Sequence, residues 1–99
     1  MAYTLKIQPE ARQDIQQAIR WYNSQQPGLG RKFHQAVKQG FDSLKLNPFF
    51  QVRYDSTRCL PLKTYPYMIH FTLEEDTQRI IVQAVFSTHD DPDKWSARS

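Results

Sequence analysis

Apolar positions recur along this chain at two different periods, and the change of period divides it into a strand, a pair of helices and a run of strands. Tyr3, Leu5 and Ile7 alternate with polar residues, the pattern of a short half-buried strand over Tyr3–Ile7. Pro9 stands where a helix can begin, with Glu10 in the first turn, where negative charge complements the helix N-terminus. Ala11, Ile15, Ala18, Ile19 and Tyr22 then recur at helical spacing to about Ser24, while Arg12, Gln13, Gln16, Gln17 and Arg20 take the other face. Gln25 to Gly30 ends that helix, since proline cannot continue it and the glycines permit positive φ. Phe33, Ala36, Val37, Gly40, Phe41 and Leu44 mark a second amphipathic helix, broken at Asn47-Pro48. The link is short, so the pattern predicts an antiparallel hairpin. Gly40 on the apolar face costs about 1 kcal/mol relative to alanine, and a close approach by another element is the expected compensation.

Beyond Pro48 the period becomes two. Phe50–Tyr54, Arg58–Lys63, Tyr65–Leu73 and Arg79–Ser87 read as strands joined by Asp55-Ser56-Thr57, a Thr64–Pro66 corner and Glu74-Glu75-Asp76-Thr77. Short connections imply antiparallel neighbours. Alternation places Tyr67, Ile69, Phe71 and Leu73 on the helix-facing side, with Ile80, Val82, Ala84 and Phe86 beside them. Met68, His70 and Thr72 point away, together with Ile81, Gln83 and Val85 if the register holds. Arg58, Leu60 and Leu62 share one parity, and Pro61, which cannot donate to a ladder, implies an edge or a bulge. The expected fold is α+β: an N-terminal strand and an antiparallel helix hairpin packed on one face of a small, mainly antiparallel twisted sheet. One domain over residues 1–99 is expected, with Asp90–Ser99 a partly ordered tail.

Composition narrows the chemistry. Cys59 is the single cysteine, so a disulfide framework within the chain and a cysteine-rich zinc site are excluded, and a reducing compartment fits. The longest apolar run, Ile80–Phe86, is far below the roughly 20 residues of a membrane span, and MAYTLKIQPE lacks a signal-like apolar stretch, so a soluble, cytoplasmic protein is expected. The net charge of +3 is unevenly spread: +4 over residues 1–49, +2 over 50–73 and −3 from Glu74 onward. A basic body suits an acidic partner, either nucleic acid or an acidic protein segment. The PGLGRK turn has glycines ahead of a lysine, but it follows a helix and lacks the phosphate-loop pattern, so it reads as a turn. His34, Cys59 and His89 fall on different elements without ligand spacing, and neither a metal nor a cofactor is expected.

Three pieces in order, WYNSQQPGLGRKF, RCLPLKTYPYMI and AVFSTHDDPDKW, carry a resemblance to the RelE/ParE superfamily of type II toxin-antitoxin toxins, spanning about Pro9 to Arg98. The resemblance implies a toxin held in check by a cognate antitoxin, and it implies one of two mechanisms. RelE-like members cut mRNA on the ribosome with basic side chains and a C-terminal tyrosine, the cations stabilising charge on the phosphate and assisting proton transfer. Met68 stands where those nucleases carry an arginine, His89 aligns with a second arginine, and Trp95 aligns with the tyrosine, which an indole cannot replace as acid or base.

Arg58, Lys63, His70 and His89 remain as catalytic candidates, and Arg53, Arg58, Lys63 and Trp95 as contacts to nucleic acid or an acidic partner. ParE-like members share the PGLG junction and the DP-x-x-W ending and are associated with inhibition of DNA gyrase by protein contact. That second mechanism is the favoured expectation. The alternatives are the ribosome-dependent nuclease and a non-toxic relative that binds only its antitoxin or nucleic acid.

Overall fold

The computed structural model describes residues 3–96. In chain order these form β1 (Thr4–Ile7), α1 (Pro9–Gln25), α2 (Leu29–Leu46), β2 (Val52–Tyr54), β3 (Thr57–Pro61), β4 (Tyr67–Glu74), β5 (Arg79–Ser87) and the single turn α3 (Asp93–Ser96). Pro9 occupies the first turn of α1, where its missing N–H costs nothing. Gly28 caps α2 at φ 93°, a left-handed conformation that most residues avoid, and Asn23 at the end of α1 reaches across to accept the Gly30 N–H at 2.9 Å. Turn chemistry and helix end thus set the hairpin together.

The five strands form one sheet in the order β1-β5-β4-β3-β2. Neighbours are antiparallel except β1 and β5, which run parallel because α1 and the rest of the chain intervene between them. The expected α+β architecture is therefore the one observed. Ala11, Ile15 and Ala18 of α1 and Phe33, Val37, Phe41 and Leu44 of α2 pack on Ile69, Phe71, Ile80 and Val82. At the hairpin end of this core, Phe33 lies between Tyr22, Tyr65 and Tyr67, with ring centroids 5.0–5.3 Å away. Gly40 explains itself here: a Cβ at that position would come within 2.8 Å of Ile69 Cδ1, so α2 sits closer to the sheet than alanine allows.

One expectation about the sheet faces is overturned. His70 pairs with Ala84 but Phe71 pairs with Val82, which leaves Gln83 as an extra residue in β5. This β-bulge reverses the facing of everything after it. Val85 joins the helix-side core, whereas Ala84 and Phe86, expected there, pair with His70 and Met68 on the opposite face. The bulged Gln83 accepts the Thr57 hydroxyl through Oε1 at 3.2 Å, and the Val85 N–H is received by Asp14 of α1 at 3.1 Å. A carboxylate on α1 thereby closes the part of the β5 edge that the short β1 does not reach.

Element ends also differ. α2 begins four residues before Phe33, and Thr57, expected in a turn, is the fully buried first residue of β3. Asp55 takes φ 51° in the two-residue loop between β2 and β3, a value that aspartate tolerates. The β2 ladder engages only Thr57 and Arg58, so Pro61 lies where β3 has an open outer side, in keeping with its missing N–H. From the tail, residues 90–96 turn back onto the sheet, and residues 97–99 lie outside the described residues.

Candidate functional site

The helix-free face of the sheet is polar at its centre. Cys59 and His70 stand opposite each other on β3 and β4, and His70 is fully buried. Its Nδ1 lies 2.8 Å from the Tyr54 hydroxyl of β2 and 3.5 Å from Cys59 Sγ. Phe86 of β5 meets the imidazole edge to face at 5.1 Å, and Trp95 of α3 meets it at 5.0 Å while also lying 5.4 Å from Tyr54. The C-terminal turn therefore closes the imidazole off from water. Loss of solvent, with a smaller push from the Arg53 guanidinium, lowers the His70 pKa from 6.5 to about 4. Burial likewise raises the Cys59 thiol, against a smaller lowering by Arg53, so it is a protonated thiol and not a thiolate nucleophile.

The sequence candidates do not converge. Arg53, His70 and Trp95 belong to this cluster, the first through charge and the last through ring contact. Arg58 pairs with Phe71 and so lies on the helix side of the sheet, where it donates to the Phe50 carbonyl at 2.9 Å. Lys63 is exposed beyond the end of β3, lining a groove with Gly40 and Ser43. His89 is exposed in the loop after β5, beside Trp21 and Tyr67. His70 is the only one of the four catalytic candidates at the centre of the open face, and its second ring nitrogen is buried without a hydrogen-bond partner. The contacts of Tyr54 and Cys59, the polar groups that touch His70, escaped the sequence reading because both run across strands whose pairing no local pattern states. No group of three or more His, Cys, Asp or Glu among the described residues is arranged to hold a metal ion.

A second feature lies on the helix layer. Between α1 and α2, on the side away from Trp21, an open groove of about 520 Å³ has a floor of Ile7, Ile15, Ile19, Val37 and Phe41. Arg12, His34 and Lys38 form its polar rim with Gln16, and no carboxylate lines it among the described residues. An apolar floor inside a cationic rim suits an amphipathic segment that carries acidic residues.

Residues 5–92 match the family described as the ParE toxin of type II toxin-antitoxin systems, parDE, and the chain belongs to that family. No curated protein matches the sequence closely enough to add a nearer relative.

Among solved structures, the chromosomal ParDE system of P. aeruginosa is similar at TM-score 0.74 and 18% identity, covering 87% of this chain and 96% of that one. A free E. coli RelE toxin mutant is similar at TM-score 0.72 and 13% identity, covering 99% and 94%. The RelBE2 toxin-antitoxin complex of Mycobacterium tuberculosis gives 0.63 at 15% identity, covering 88% and 99%. At such identities these likenesses speak to the fold, which both branches share.

Proposed function

We propose that this chain is a toxin that acts ParE-like, by binding a protein target of the DNA gyrase type, and that a cognate antitoxin neutralises it. The observation that carries this reading is the dispersal of the nuclease candidates. Cleavage at a 2′-hydroxyl needs an acid, a base and cations around one phosphate. Here Arg58 is on the helix side, Lys63 and His89 are exposed elsewhere, and His70 is buried beneath Trp95. The family match points the same way. Purified protein should inhibit supercoiling by purified gyrase and leave ribosome-dependent mRNA cleavage at background. Unchanged supercoiling at saturating protein would sink the proposal.

The RelE-like reading retains one specific support: the Tyr54 hydroxyl lies 2.8 Å from His70 Nδ1 on the open face, and the Arg53 charge is near enough to lower the imidazole pKa. Cleavage of mRNA in a translation assay that is lost in Arg53→Ala and His70→Gln would establish it instead. Absence of any growth effect on induction, with both targets intact, would favour a non-toxic binding relative.

The α1–α2 groove is the surface best matched to the antitoxin, because its cationic rim attracts acidic residues while its floor accepts apolar anchors. A double Arg12→Glu, Lys38→Glu variant should lose co-purification with the antitoxin, and undiminished co-purification would place the antitoxin elsewhere.

A further inference from the structure

Trp21 is the one large apolar side chain that α1 leaves in water, 55% exposed on a helix whose Ala11, Ile15 and Ala18 are buried. Tryptophan is mostly buried in folded proteins, so a half-exposed one calls for a reason. It lines an open groove of about 400 Å³ between α1 and the last part of β5, on the opposite flank of α1 from the groove edged by Arg12 and Lys38. Asp14, Gln17 and Trp21 follow one another at i, i+3 and i+7 along this flank, while Val85 and Ser87 line the β5 side with Asp90 just beyond.

Two features say what the groove accepts. Its charge is opposite to that of the molecule: Asp14 and Asp90 line it and, among the described residues, no lysine or arginine does, although the chain carries +3. Its backbone edge is also closed. β1 pairs with β5 only from Arg79 to Val82, and beyond that the Asp14 carboxylate accepts the Val85 N–H at 3.1 Å, so an added strand would have to displace it. A side chain reaching in from a helix or loop meets no such obstacle. Arginine or lysine suits best, because its charge meets the carboxylates while its stem or guanidinium plane lies against the Trp21 indole. The same carboxylates repel nucleic-acid phosphates. A second copy would have to insert one of its own exposed cations, such as Arg20, Arg31 or Lys32, none of which lines the groove, and that contact would not close as a two-fold dimer.

We propose that this groove docks a cationic helix or loop of a partner protein, presenting an arginine or lysine beside an apolar residue, with Trp21 as the anchor, and that the partner is the target of the toxin. The assignment to the target rests on the reading that the chain acts by protein contact. Antitoxin and target then approach α1 from opposite flanks, and their binding can be separated by mutation.

Nuclear magnetic resonance on the intact chain tests the groove without the target. The probe is a short blocked peptide with one arginine beside one leucine, and it should shift the Trp21 indole N–H saturably with a dissociation constant of about 1–10 mM. Gln17→Lys puts a cation into the groove from an exposed position and should weaken this binding at least ~tenfold, with the core amide spectrum retained. Glutamate in place of the peptide's arginine should abolish it. No saturable indole shift, or equal shifts with the glutamate peptide, would overturn the proposal. So would shifts that track the protein's own concentration, which would give the groove to a second copy. In supercoiling assays with purified gyrase, Gln17→Lys and Trp21→Ala should each raise the protein needed for inhibition at least ~tenfold, with antitoxin co-purification kept at the wild-type level. Wild-type inhibition by both variants would remove the target from this groove. A wild-type protein that leaves supercoiling untouched refutes the gyrase reading instead, and the peptide titration still decides whether the groove takes a cationic segment.

Discussion

Acidification should cost this protein stability through His70, and the amount follows from its burial. Folding depresses the imidazole pKa from 6.5 to about 4, so between those values the unfolded chain binds more protons than the folded one. The contribution is intact above pH 6.5 and is lost progressively as the pH falls to about 4, below which both states are protonated and the loss stops growing. The full interval corresponds to roughly 3 kcal/mol. At a urea dependence of about 1–3 kcal/mol per molar, that loss moves the unfolding midpoint down by roughly 1–3 M.

Urea titrations of wild type and His70→Gln at several pH values between about 7 and 4 isolate the term, because carboxylate effects are common to both chains. The glutamine variant is less stable at neutral pH, having lost the ring contacts, but its midpoint should fall less steeply with acid. Curves that stay parallel within about 0.5 kcal/mol would refute the reasoning, since the proton would then be entering the folded state without penalty.

The packing makes three further predictions. Phe33→Ala empties a fully buried site ringed by three tyrosines and should cost about 3–5 kcal/mol in denaturant unfolding. Gly40→Ala gains about 1 kcal/mol of helix propensity but drives a methyl into Ile69, at a cost of about 1–3 kcal/mol. A net loss of about 1 kcal/mol is expected, and a more stable variant would mean that the Ile69 side chain moves aside freely. Arg58→Ala removes a guanidinium bond to the Phe50 carbonyl, so it should lower the melting temperature by several degrees, the effect of about 1–2 kcal/mol in a domain of this size. An unchanged melting temperature would show that this bond contributes nothing to folding and return Arg58 to the list of functional cations.

Much of the fold was legible because the signals that encode it are local. The 3.6-residue stripe from Ala11 to Tyr22, the PGLG turn and the stripe from Phe33 to Leu44 state a helix hairpin without reference to the rest of the chain. The alternation in β4 correctly placed Ile69 and Phe71 under the helices and His70 on the far side. Gly40 announced a close approach before its partner, Ile69, was known. The site was far less legible. Arg58 and Lys63 stood out by charge, but charge does not say which side of a sheet a residue occupies. Tyr54 and Cys59 carried no signal at all until β2, β3 and β4 were laid side by side.

What the amino-acid sequence determined by itself was therefore the set of elements, their order and the antiparallel habit of the last four strands, since periodicity, turn residues and short links act over a few residues. Tertiary structure decided three things that pair distant residues: the parallel docking of β1 on β5, the bulge at Gln83, and the folding of Trp95 over His70. The physical reason is the period of two in a strand. One inserted residue reverses every side chain beyond it, and whether the insertion happens is settled by the neighbouring strand and by Asp14 and Thr57 meeting the groups the bulge exposes. Burial of His70 is likewise a property of the assembled sheet and its C-terminal turn, which no stretch of sequence around residue 70 contains.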